Sequence, residues 1–139
     1  MKKIFVIFFL AIILTACGNN DIAADLTAGN NEDKSVKVTF DVTSHADGAE
    51  TTYDTQTPDL KVGDEITFEY GMTYVFTLEK IEDDNIVLSC DSALSASTDP
   101  DAGTDMKSKQ KEFTINKGET VYLKTLTYDA GQIFAVKYN

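Results

Sequence analysis

Two thiols, one imidazole and twenty-three carboxylates are the groups in this chain with the potential for chemistry. The thiols belong to Cys17 and Cys90, and the imidazole to His45. A zinc site takes three or four nitrogen or sulfur ligands, and His45 has no second imidazole to join it. Ser44 beside His45 does not make a triad, because adjacent residues at a strand end point apart. Asp99, Asp101 and Asp105 stand at alternate positions, as acids do in hard-cation loops. An EF-type loop calls for Asp or Asn fifth, Gly sixth and Glu twelfth. Here those positions hold Gly103, Thr104 and Gln110. The three aspartates are therefore read as a mobile acidic loop and candidate contact region, with no metal. Glycoside hydrolysis needs two carboxylates across a cleft, but among so many acids some pair always qualifies on paper. No cofactor is expected, and the chain does not read as an enzyme.

Cys17 has a context of its own. Lys2 and Lys3 precede an unbroken apolar run, Ile4 to Leu14 (IFVIFFLAIIL). A membrane-spanning helix needs about 20 such residues, so this run suits an export signal instead. Leu14-Thr15-Ala16-Cys17 resembles the lipobox of bacterial lipoproteins. Leu14 stands at −3, Thr15 at −2, the small Ala16 at −1 and Cys17 at +1. The resemblance implies a diacylglyceryl group on the Cys17 thiol and cleavage between Ala16 and Cys17. Two or three acyl chains anchor stably where one does not. Gly18, where Asp would suggest inner-membrane retention, and a composition with Lys but no Arg lean towards the outer face of a Gram-positive cell membrane. Residues 1–16 are thus read as a signal peptide. Residues 17–34 (CGNNDIAADLTAGNNEDK) read as the lipidated cysteine and a flexible tether.

Losing Lys2 and Lys3 moves the formal net charge from −11 to −13. Nucleic acid is excluded as a partner, because a phosphate backbone is bound by clustered Lys and Arg. The acidic surface suits a soluble domain and opposes lying flat on anionic lipid.

Residues 35–139 form the folded part, and their pattern has a period of two. Val36, Val38, Phe40 and Val42 alternate with polar residues. Ile66, Phe68 and Tyr70 make a second inward row, and Tyr74, Phe76 and Leu78 a third. Ile86, Leu88 and Cys90 make a fourth, so Cys90 is read as an inert core thiol. Phe113 and Ile115 follow, then Thr120 to Tyr128, then Phe134, Val136 and Tyr138. Glu50 to Gln56 reads as an edge strand. Turns fall at Gly63, at Asp83-Asp84-Asn85, at Asn116-Lys117-Gly118 with Gly118 at positive φ, and at Asp129-Ala-Gly131. Ser92 to Gln110 reads as one long polar loop, a length that marks functional or disordered segments. Seven to eight short strands without a helix predict an all-β, antiparallel β-sandwich.

Gly63-Asp-Glu-Ile-Thr-Phe68 resembles strand entries of bacterial immunoglobulin-like domains. Asp129-Ala-Gly131-Gln-Ile-Phe134 resembles the D-x-G-x-Y-x-C signature of immunoglobulin domains, with the aromatic one residue late and no Cys after it. These imply an immunoglobulin-like sandwich. Gly71-Met-Thr-Tyr74-Val-Phe76 faintly resembles the N-P-T-T-G-Y-x-W loop of chagasin-like protease inhibitors, without its Asn-Pro, the Gly before Tyr, or the Trp.

The expected protein is a lipid-anchored, extracytoplasmic monomer that binds a protein or glycan, or supports the envelope, without catalysis. A chagasin-like inhibitor or immunity-type protein, and a hydrolase with paired carboxylates, are the alternatives. Tyr70, Tyr74 and Tyr122 would make a binding face if exposed, but parity sends Tyr70 and Tyr74 inward.

Overall fold

A computed structural model describes residues 34–46, 49–127 and 130–139. The lipobox Leu14, Thr15, Ala16 and Cys17 and the tether up to residue 33 lie outside the described residues, as does the side chain of His45. Nine strands form: β1 (Ser35–Ala46), β2 (Ala49–Gln56), β3 (Asp59–Lys61), β4 (Glu65–Tyr70), β5 (Met72–Ile81), β6 (Asn85–Ser97), β7 (Gln110–Asn116), β8 (Thr120–Thr125) and β9 (Ala130–Tyr138). The strand count exceeds the expected seven to eight because Leu60, which follows Pro58, enters a three-residue strand on β1. Among the described residues no helix forms.

The strands make one curled sheet in the order β2-β1-β9-β8-β6-β5-β4, with β3 on β1 and β7 on β6. Every strand pair is antiparallel. The curl is made by β6. Its first half, Asn85 to Cys90, lies between β5 and β7. Its second half, Leu94 to Ser97, pairs with β8. A register irregularity between Ser89 and Leu94 separates the two. A strand that changes sheets through such a bend is how sandwich corners are built. The result is an all-β antiparallel sandwich, as the alternating pattern predicts.

The core lies between the layers and is aromatic at its centre. Phe40 of β1 and Phe134 of β9 meet Phe68 of β4 and Phe76 of β5 from the other layer, with ring centroids 5.1–5.6 Å apart. Tilted and edge-on rings at this spacing are the favoured geometry of aromatic pairs. Each inward row of the alternating pattern is buried where expected, except that Tyr70 is half-exposed and stacks on Phe68.

Gly118 has a φ of 79° in the β7–β8 turn, and its N–H donates to the Tyr138 carbonyl at 2.8 Å. Only glycine takes this conformation without strain.

The expected loop from Ser92 to Gln110 needs correcting. β6 continues to Ser97, so the connection spans residues 98–109. Leu94 and Ala96 keep the inward parity beyond the bend. The serines between them masked a strand as polar loop.

Candidate functional site

The sequence-derived candidates do not converge. Cys90 is a free, buried thiol in the core. Burial pushes it up to about 11, with the neighbouring Asp91 carboxylate adding to the effect. At neutral pH it is a thiol and no nucleophile. Asp99, Asp101 and Asp105 are exposed. Two of them act on their own backbone: the Asp101 N–H donates to Asp99 Oδ1, and the Lys107 N–H to Asp105 Oδ1, both at 2.9 Å. Such contacts are those of Asx turns. Among the described residues, no three His, Cys, Asp or Glu side chains come together around a possible metal position. Tyr74 is buried at 4% exposure, while Tyr70 and Tyr122 are half-buried. The three tyrosines therefore make no common exposed face.

The bend of β6 is where a cleft forms. Past Cys90, β6 leaves β5, and the Val75 N–H needs a new acceptor. Asp91 supplies it: its Oδ1 accepts from Val75 N at 3.1 Å. Lys111 of β7 closes the other side, its Nζ donating to the Asp91 carbonyl at 2.7 Å. The Val75 N–H, with further bonds from Ser92, holds the Asp91 carboxyl below the usual carboxylate range. Asp91 thus replaces a missing ladder bond, which a buried or half-buried backbone donor requires.

Beyond this corner lies a depression of about 180 Å3. The start of β5 gives it Met72 and Tyr74, and the β6 bend gives Ser92, Ala93 and Leu94. The end of β8 gives Thr125, Leu126 and Thr127. Its polar rim is ordered. The Tyr74 hydroxyl donates to Gln132 Oε1 at 3.3 Å, and the Gln132 N–H donates to Thr125 Oγ1 at 3.0 Å. Thr125 and Thr127 hydroxyls are 3.2 Å apart. Burial, then the nearby Cys90 and Asp91, raise the Tyr74 phenol above its ordinary value, so it stays a neutral donor. Met72 is 64% exposed and is one of two large hydrophobics so exposed among the described residues; the other is Val62 at 45%. The depression is open to solvent on one side and smaller than the roughly 300–1,000 Å3 of ordinary small-molecule sites; its walls are apolar with a few hydroxyls.

No motif announces this cleft in the sequence. Its lining comes from three separated segments, and Gly71-Met72 and Thr125-Leu-Thr127 are ordinary strand-end compositions. Met72 gives no signal either: it shares the inward parity of Tyr74, Phe76 and Leu78, and only the structure shows it exposed. No family model matches the chain, and no curated protein or solved structure matches it significantly.

Proposed function

We propose that this protein is an exported lipoprotein, cut before Cys17 and held by acyl chains on that residue, whose sandwich domain binds a partner without catalysis. The observation that carries the anchor is the spacing Lys2-Lys3, apolar run, Leu14-Thr15-Ala16-Cys17. The binding reading rests on the cleft at the β6 bend and on its position. Gln132, which bonds Tyr74 and Thr125, is the ladder partner of Ser44. Ser44 lies nine residues along β1 from Ser35, or roughly 30 Å at strand rise. The proposed tether would join at Ser35, the ladder partner of Lys61, which Val62 follows in the chain. Along β1, the cleft thus stands at the opposite end of the strand from Ser35, where the proposed tether would join. Its ligand is an apolar or aromatic group with hydroxyl or amide neighbours, as a peptide or a glycan presents.

Cys17→Ser tests the anchor: the variant should leave the membrane fraction and lose acyl labelling. Persisting label would end the lipoprotein reading. The cleft is tested with a photo-crosslinking residue at Met72, and at Val62 as control, in the full chain on cells. Adducts to a protein or glycan are expected from position 72, and lipid adducts or none from position 62. Equal adducts from both positions, or none from 72, would contradict the binding reading.

A further inference from the structure

The connection over residues 98–109 is polar, yet it does not stand free. It folds back over the outward face of the β6–β8 ladder. Ser95 and Lys124 are cross-strand partners there, and both are buried, at 4% and 6% exposure. Ser95 Oγ accepts the Asp105 N–H at 3.1 Å. Lys124 Nζ donates to the Pro100 carbonyl at 2.9 Å and to the Ala102 carbonyl. Two turns space these contacts. The Ala102 N–H donates to the Asp99 carbonyl at 3.3 Å, and the Ser108 N–H to the Asp105 carbonyl at 3.1 Å. Even-numbered residues from Ala102 to Ser108 are half-buried, while Asp101, Gly103, Asp105, Lys107 and Lys109 are exposed.

Lys124 is the unusual member. A buried ammonium is expensive unless its protons are satisfied. Acids are abundant in this chain, yet among the described residues Lys124 forms no ion pair with any of them. Its burial is instead made possible by the carbonyls of the segment that covers it. The dependence runs both ways, because the segment forms no ladder and is hydrogen-bonded to the sheet at Lys124, Ser95 and, from the Asp99 N–H, Ser97 Oγ at 3.0 Å. When the segment lifts, water solvates the ammonium. Nothing in the sandwich core needs to move, since Leu94 and Leu123 point to the opposite face.

We infer that residues 98–109 form a strap latched by Lys124 and Ser95, which opens and closes as a unit while the sandwich stays folded. Opening uncovers the outward pair Ser95 and Lys124. The strap is thus a cover over a sheet face, with its own opening equilibrium. This inference is independent of the lipid anchor and of the cleft.

Native-state hydrogen exchange on the wild-type protein tests it without any substitution. The amides of Ala102, Asp105 and Ser108 should exchange through an opening with little denaturant dependence, well before those of β1 and β9. Exchange of strap and core amides together, from zero denaturant upward, would overturn the inference. Trypsin provides the second reading, because Lys107 and Lys109 are exposed on the strap. Lys124→Met and the milder Ser95→Ala should speed cleavage there, about tenfold or more for Lys124→Met, with β1 and β9 protection retained. Unchanged cleavage in both variants would show that the latch is misassigned.

Discussion

Cys90 is the only thiol in the folded domain, and its chemistry is suppressed by its place in the core. A thiol raised to about 11 has roughly a hundredfold less thiolate at neutral pH than one at its ordinary 9.0. Reaction with a disulfide reagent should be slow in the folded protein and immediate in denaturant. Rapid native labelling would place Cys90 at the surface. The raised value also has a stability consequence. The folded state holds the thiol proton more tightly than the unfolded chain, so this contribution is complete below pH 9 and lost as pH rises towards 11. Asp91 has the opposite sign. Its carboxyl is depressed when folded, so its contribution is present above the ordinary carboxylate value and lost as pH falls through the folded one. Asp91→Ala leaves the Val75 N–H without its acceptor and should cost about 1 kcal/mol. Denaturant titrations at pH 7 and at acid pH below the ordinary carboxylate value should show a smaller loss at the lower pH. Equal losses would mean that the carboxylate charge is irrelevant at the corner.

At the scale of elements, the turns and β6 decide the shape. Gly118 holds a φ of 79° with nothing within 4 Å of where a Cβ would stand. The cost of Gly118→Ala is therefore conformational only, roughly 1–2 kcal/mol, and should be read as a lower urea midpoint with an unchanged slope. A changed slope would point to a rearranged β7–β8 turn. The inward rows of β1, β4 and β7 were legible in the sequence because each alternates cleanly against polar residues, and those of β5 and β9 because large inward residues recur at every second position despite Val75, Ile133 and Ala135 between them. The second half of β6 was not. Its outward positions are serines, its register breaks between Ser89 and Leu94, and serine-rich strands resemble loops by composition. The strap was illegible for a related reason. Its half-buried residues are Ala102, Thr104, Met106 and Ser108, too small or too polar to mark a face. Nor does any pattern announce that Lys124 is buried, because its partners are backbone carbonyls twenty-two and twenty-four residues away.

At the scale of the whole molecule, the sandwich is held by a single aromatic centre. Phe134 is fully buried and touches Phe68, Tyr74 and Phe76. Phe134→Ala should cost about 3–5 kcal/mol, a large share of the roughly 5–15 kcal/mol expected of a domain this size. Thermal melting that shifts by only a degree or two would contradict the packing described. The candidate site was the least legible part of the chain. The cleft is assembled by the bend of β6 from three segments, none of which carries a motif. The proposed anchor, by contrast, is a linear signal, Leu14-Thr15-Ala16-Cys17, which needs no fold to be legible. Its central claim is chemical and can be weighed directly. Intact and N-terminal peptide mass of the protein extracted from membranes should give a chain beginning at Cys17 and carrying a diacylglyceryl thioether. A chain beginning at Met1, or an unmodified Cys17, would contradict the account.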